Sequence, residues 1–401
     1  SYLGLTQWAL AGDAGDDLTA MAIQVSASQF HDQTYAGGSV SLETVASWMV
    51  IVTLQERRLA PLSINRGLRT LKSLMGEHPL IEIDELATGA PAAWLREGFE
   101  HPRRDDDYWA RRDFSAAVPR VSAAVSFVGG WYDILIPWML DDFEALQNSA
   151  PGHPPRMLIG PWVHTSPQLM AAGHRDAIAW LRAHVLSDDR LLREQGRSDP
   201  VRLRITGEGG GWRDYPSWPP PQARQTRLHL HAGGRLLHEP PSDPTREGEA
   251  TGERYRYDPA DPTPSYGGPV LMSHEPVVDN GPLEARDDVL TFTTEPLAET
   301  VEAIGRPQVE VWARASRQYF DVFVRVCEVD SDGVSRNVCD GLASVHGDRD
   351  APGADTSRRV AFALWPLGHR FAAGHRIRLQ VSSGAHPRYA RNPGTGEDPA
   401  G

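Results

Sequence analysis

The stretch from Ala123 to Val185 constrains this chain more than any other. Ala123 to Val128 is an apolar run, interrupted only by Ser126, that ends in Gly129-Gly130. That is the pattern of a strand buried on both faces of a parallel sheet. Pro137 suits the first turn of a following helix, which carries Met139, Leu140, Phe143 and Leu146. Met157-Leu158-Ile159 predicts a second short buried strand, which Gly160-Pro161 is expected to stop. A further helix would turn Ile178, Leu181 and Val185 to one face. Strand, helix, strand, helix in this order is the right-handed crossover of an α/β sheet.

The flanking segments extend that pattern on one side and replace it on the other. Tyr2 to Leu10 predicts a short helix, and Met21 to Val25 a short buried strand after the turn-rich Gly12 to Asp17. Leu42, Val45, Ala46, Met49, Val50, Thr53 and Leu54 recur at the helical period, with Ser41 placed as an N-cap. A second helix is expected after Asn65, then short helices and loops between Gly89 and Phe114. From about Pro200 the texture becomes that of strands. Arg202 to Ile205, Leu228 to His231, Val309 to Trp312, Val322 to Val326 and Ile377 to Val381 are separated by Pro- and Gly-rich turns. This reads as an all-β second half, sandwich-like and without repeats. A chain of 401 residues has room for two or three such domains.

In an open parallel sheet, functional groups sit beyond the carboxyl ends of the strands. The two strand ends here carry Gly129-Gly130-Trp131-Tyr132-Asp133 and Gly160-Pro161-Trp162-Val163-His164. At the start, Ser1-Tyr2-Leu3-Gly4 fits the right-hand part of a turn that presents a nucleophilic serine between a strand and a helix. Ser1, Asp133 and His164 then follow in the order nucleophile, acid, base, the last two lying 31 residues apart, about one βαβ unit. His164 would take the hydroxyl proton of Ser1 and pass it to the leaving group, while Asp133 fixes the imidazole tautomer. Each residue has a plainer reading: Ser1 as an N-cap, Asp133 as a helix cap, His164 as a satisfied loop histidine. Their order, and their places at three element boundaries, favour the catalytic reading.

Ser1 to Trp8, Gly130 to Asp133 and Gly160 to His164 together resemble the three catalytic motifs of the cocaine esterase / X-prolyl dipeptidyl-peptidase family of acyl hydrolases. The resemblance continues through Trp212-Arg213-Asp214, Tyr257 to Pro262, Arg286 to Leu290, Gly374 to Ile377, Ser382-Ser383 and Arg391-Asn392-Pro393. It implies an α/β-hydrolase core over residues 1–28 and 117–198, a helical cap over 29–116 and a C-terminal, galactose-binding-like jelly roll over 199–401. It also implies Ser1 as nucleophile, Asp133 and His164 as its partners, and the Tyr2 amide as an oxyanion donor. Gly37-Gly38 to Trp48 resembles a cap helix of the family whose tryptophan lines the acyl pocket, so Trp48 is the expected contact. Trp131, Leu135 and Trp162 are the other substrate-facing candidates. Leu135 falls where the cocaine esterases carry an aromatic, which implies a differently shaped pocket. The first Gly of the nucleophile turn, the family's tyrosine oxyanion donor and its last β segment have no counterpart here. The 401 residues are therefore expected to be part of a longer hydrolase and to cleave no ester alone, since losing one oxyanion donor costs ~10²–10³ in rate.

The expected substrate is a small ester or amide, with an acyl-enzyme intermediate and no cofactor. A net charge of −13 argues against nucleic acid or an anionic membrane as partner. The longest apolar run, Trp48 to Leu54, falls far short of the ~20 residues of a membrane span. Cytoplasmic location and a homodimer are the accompanying expectations. Cys327 and Cys339 are expected to be free thiols. His229 and His231 share a strand face, but no third ligand follows by spacing, so no metal is expected. Asp105-Asp106-Asp107 reads as a solvated helix start, and Glu208-Gly209-Gly210-Gly211 as a turn. Three rival functions remain: an amide-directed relative (an X-prolyl dipeptidyl-peptidase, a β-lactam acylase or an amino-acid ester hydrolase), a binding module on an inactive core, and an amidase whose Ser1 is activated by its own amine.

Overall fold

The computed structural model describes residues 2–76, 80–149, 152–241, 252–272, 275–346 and 357–396. Its first half is built on a five-stranded sheet in the order β1-β2-β3-β4-β5, formed by Ala20–Gln24, Ala124–Tyr132, Arg156–Val163, Val201–Ile205 and Gly211–Tyr215. The first four strands are parallel, and β5 returns antiparallel beside β4. Every residue of β2 is buried, as its apolar run requires. Helices α1 (Tyr2–Ala14), α6 (Ile136–Asn148) and α7 (Pro167–Val185) pack on this sheet. Trp8, Phe127, Met139, Phe143 and Ile159 meet in its principal core.

The chain leaves the sheet after β1 to build a helical layer and returns through a 3₁₀ segment, Ser115–Arg120. Within that layer lie α2 (Leu42–Leu54), α3 (Ala60–Leu74), α4 (Ile83–Thr88) and α5 (Ala93–Glu100). They share a separate apolar core that includes Leu42, Met49, Leu71, Leu95 and Phe99. Ser41 stands at the N-cap of α2 but makes no capping hydrogen bond. The second helix starts earlier than expected, at Ala60, with Pro61 in its first turn.

The second half is a β-sandwich. One sheet runs β12-β11-β15-β8-β7-β6 (Ser335–Val345, Phe320–Val329, Arg376–Ser382, Leu290–Thr293, Arg235–Leu237, His229–His231). Two antiparallel pairs lie against it: β10 with β13 (Gln308–Ala313, Arg358–Ala363) and β9 with β14 (Val301–Gly305, Leu367–Phe371). Val322, Val324, Val360, Leu367 and Phe371 fill the space between the layers. A wholly buried charge network, Arg325–Asp340–Arg388, ties β11 and β12 to the segment after β15. Cys327 and Cys339 are buried free thiols on these adjacent strands.

Three expectations change. Val201–Ile205 was expected to open the β half, yet it pairs with β3 and extends the α/β sheet, so the sandwich begins beyond β5. Its buried–half-buried alternation is that of a strand covered on one face, which suits a place near a sheet edge as well as a sandwich. β3 is not stopped by Gly160-Pro161 but continues to Val163. Finally, Ile178, Leu181 and Val185 point outward from α7. The buried face carries Leu169, Ala172, Gly173, Asp176, Ala179 and Trp180 instead. Apolar periodicity misleads there because the buried face holds a charge. Asp176 bonds Arg156 and Arg197 at 2.9 and 2.8 Å and accepts the Ser126 hydroxyl. Gly173 lies so close to Gln24 that a Cβ would stand 2.4 Å from Oε1.

Candidate active site

The candidate site is set by an irregularity in the β2–β3 ladder. Gly130 pairs with Gly160, but Tyr132 pairs with Val163, so β3 spends one residue more than β2 over the same span. This is a β-bulge, one of the few places in a sheet where a proline is tolerated, and Pro161 occupies it. The bulge shifts the register by one and brings the next residues, Asp133 and His164, opposite each other. Both glycines are needed. A Cβ on Gly130 would lie 2.1 Å from the Trp162 carbonyl oxygen, and one on Gly160 would lie 2.5 Å from the Trp162 ring.

Across this junction His164 Nδ1 stands 2.7 Å from Asp133 Oδ2. The Asp133 carboxylate is 1% exposed and the imidazole 11% exposed. Asp133 Oδ1 accepts the Leu135 amide at 2.8 Å, so both carboxylate oxygens are engaged and the group cannot turn away. A carboxylate only accepts, so His164 donates through Nδ1 and its neutral ring keeps a lone pair at Nε2. A proton acceptor oriented in this way can serve as a general base.

Ser1 lies outside the described residues. Tyr2, the first described residue, opens α1. Its amide belongs to the first turn of a helix, where N–H groups have no partner within the helix and favour an anion. The start of α1 is held close to the segment after β1, since a Cβ on Gly4 would stand 2.3 Å from Ser26 Cβ. That segment begins at Val25, whose φ of 42° is left-handed, a conformation a β-branched residue avoids.

The expected substrate contacts separate into two groups. Trp48, 38% exposed, lies one helical turn before Ile51 on α2, and Ile51 packs on the cluster of Ile134, Leu135 and Leu271. Leu135, two residues beyond Asp133, is 1% exposed and lies in that cluster beneath Ile51. Trp131 and Trp162 are placed elsewhere. Trp131 is buried at the seam with the β half, donates to the Arg204 carbonyl at 2.7 Å and lies 5.9 Å from the Trp218 ring. Trp162 covers Gly160 and packs toward Trp212, with ring centroids 6.0 Å apart, and toward Val128, Leu158 and Ala172.

Sequence reasoning missed the clamp where the chain passes from sheet to cap. Asp142 of α6 accepts the Ser28 amide at 2.7 Å and the Ser28 hydroxyl at 2.6 Å. The Ser28 carbonyl accepts from Phe114, where the cap returns. Burial pushes the Asp142 carboxyl up to about 7, despite the two bonds from Ser28. The available signal was an aspartate at a core-facing position of α6, between Met139 and Phe143.

Comparison with known proteins agrees with this architecture. Residues 1–166 match the X-Pro dipeptidyl-peptidase (S15 family) model, and residues 195–400 match that of the X-Pro dipeptidyl-peptidase C-terminal non-catalytic domain. The cocaine esterase of Rhodococcus sp. (strain MB1 Bresler) is 28% identical over 440 residues, which takes in 99% of this chain and 74% of that protein. An aminopeptidase from the marine sediment archaeon Thaumarchaeota archaeon has the same fold, with a TM-score of 0.73 at 20% identity over 98% of this chain and 69% of its own. An α-amino acid ester hydrolase does so with a TM-score of 0.67 at 22% identity, over 81% of this chain and 59% of its own.

Proposed function

Since the chain belongs to the cocaine esterase / X-prolyl dipeptidyl-peptidase family of serine hydrolases, we propose that it serves acyl-ester cleavage through Ser1, His164 and Asp133. The observation that carries this reading is the 2.7 Å contact between His164 Nδ1 and a carboxylate that is 1% exposed. A buried, doubly anchored acid beside an imidazole that is bonded to it through Nδ1 is the base half of a nucleophile–base–acid system. In the proposed reaction, His164 Nε2 removes the Ser1 hydroxyl proton as Oγ attacks the ester carbonyl. The Tyr2 amide, at the α1 N-terminus, stabilises the resulting oxyanion. The imidazolium, held by Asp133, then protonates the leaving alcohol, and water releases the acyl group by the same steps. Trp48 and Leu135 are proposed to border the acyl group. Metal and cofactor have no task in this scheme.

The test is labelling by a fluorophosphonate probe. Covalent modification at Ser1 that disappears in His164→Ala and Asp133→Ala supports the scheme. Labelling that survives both substitutions sinks it in favour of a serine activated by the terminal amine, and absence of labelling favours a binding module. The amide-directed reading is supported by the matched S15 peptidase model. Faster turnover of an Xaa-Pro-p-nitroanilide than of a p-nitrophenyl ester would select it.

A further inference from the structure

A cavity of about 480 Å³ lies at the seam between the α/β sheet and the sandwich. Its core-side wall is Tyr132, the last residue of β2, and Thr206 to Glu208, just after β4, and its far wall comes from the β11–β12 hairpin with His369 and His375. Small-molecule sites favour domain seams and occupy about 300–1,000 Å³. No step proposed for Ser1, His164 and Asp133 uses any of these groups.

The lining is built around Glu328. Its Oε2 faces His369 Nε2 at 3.0 Å, and its Oε1 faces His375 Nδ1 at 2.9 Å and accepts the Ala372 amide at 3.0 Å. Burial raises this carboxyl, but the bonds from His369, Ala372 and His375 outweigh it and hold the group at about 2. It is therefore a fixed negative charge. Because a carboxylate only accepts, both imidazoles donate to it. Thr206 extends the array, with its hydroxyl 2.7 Å from His369 Nδ1.

Apart from Arg336, the other formal charges in the wall are negative as well. Glu208, Asp330 and Asp332 add three carboxylates, and the one guanidinium among these residues, Arg336, is committed to Asp330 at 2.6 Å. A concave site with low-dielectric walls and charge of one sign concentrates ligands of the opposite sign. Tyr132, Val277 and Val338 supply apolar surface between the acceptors. Among the described residues, no His, Cys, Asp or Glu trio converges as a metal-ligand set, so the cation that fits is an organic one. The volume exceeds that of an ammonium group alone and calls for an attached body.

We propose that this cavity binds a small organic cation, a primary ammonium carried on a compact apolar body, through Glu328 and Asp332. Binding involves no bond-making step. It is independent of which ester or amide the Asp133–His164 pair helps to cleave.

Phenethylammonium is a suitable probe and 2-phenylethanol its neutral counterpart, each titrated calorimetrically into the protein. The amine is expected to bind at least about tenfold more tightly, in keeping with a charge-assisted contact. Glu328→Gln should weaken amine binding about tenfold and leave the alcohol unaffected. Equal affinity of the intact protein for amine and alcohol, or no binding of the amine, overturns the proposal. So does unchanged amine affinity in a folded Glu328→Gln variant. Should that variant not fold, the exposed Asp332→Asn substitution decides, with a loss of about threefold supporting the site and no loss overturning it.

Discussion

Gly130→Ala tests whether the β3 bulge creates the Asp133–His164 pair. The added methyl would stand 2.1 Å from the Trp162 carbonyl oxygen and 2.8 Å from its carbonyl carbon, where ordinary contact begins near 3.4 Å. The obstacle is backbone, so no side chain can swing aside. β3 must retreat from β2 by about 1 Å, at a cost of about 1–3 kcal/mol for an overpacked site. In a domain of this size that lowers the melting temperature by about 2–4 °C per kcal/mol. The same displacement acts on the 2.7 Å contact three residues away. Opening it by about 1 Å takes it beyond hydrogen-bonding range, and a misplacement of that size costs about 10²-fold in rate. The assay pairs thermal unfolding with the rate of fluorophosphonate labelling and the NMR signal of the His164 Nδ1 proton. Gly152→Ala serves as control, since nothing lies within 4 Å of its added Cβ. If Gly130→Ala labels at the unmodified rate with the His164 proton signal unchanged, the bulge does not set the pair and the reasoning fails.

Three further outcomes are expected. Gly4→Ala, whose methyl would meet Ser26 Cβ at 2.3 Å, should slow labelling about 10²-fold, and Ser26→Gly in the same chain should restore most of the rate; no recovery in the double variant would place the clash elsewhere. The folded Asp142 carboxyl lies at about 7, above its ordinary 3.8, so its contribution to stability is fully present below about pH 4 and is lost as pH rises through 7. Denaturant titrations of Asp142→Asn, whose amide can still bond Ser28, should lack that part of the pH slope, and an identical slope would contradict the assignment. Asp340→Ala leaves Arg325 and Arg388 without their shared carboxylate at 0% and 3% exposure. It should cost about 3–5 kcal/mol by chemical denaturation, and a loss below about 1 kcal/mol would show that water replaces the pair.

Local composition made most elements legible. The run into Gly129-Gly130 could only be a strand covered on both faces, and it is. The period of Leu42 to Leu54 is a helix over those residues. α7 was legible as a helix but not in its orientation, because its buried face includes a glycine and an ion-paired aspartate that apolar periodicity counts as solvent-facing. Val201–Ile205 was legible as a strand but not in its sheet, because alternation records only that one face is covered. The substrate candidates show the same limit: Trp131 and Trp162 each stand two residues before a site residue in the chain, yet they join different apolar clusters, a division set by packing across the sheet and not by distance along the strand.

The sequence by itself determined the kind of molecule: an α/β half, a β half, and polar residues waiting at two strand ends, because periodicity and glycine placement act over a few residues at a time. Tertiary structure decided which of those residues meet. The extra residue at Pro161-Trp162 turns the 31-residue separation of Asp133 and His164 into a 2.7 Å contact. The Ser28 clamp and the acidic cavity at the seam arise in the same way, from side chains far apart in the chain. No local pattern encodes such meetings; they depend on register, on close approach at glycines and on how two separately formed halves come together.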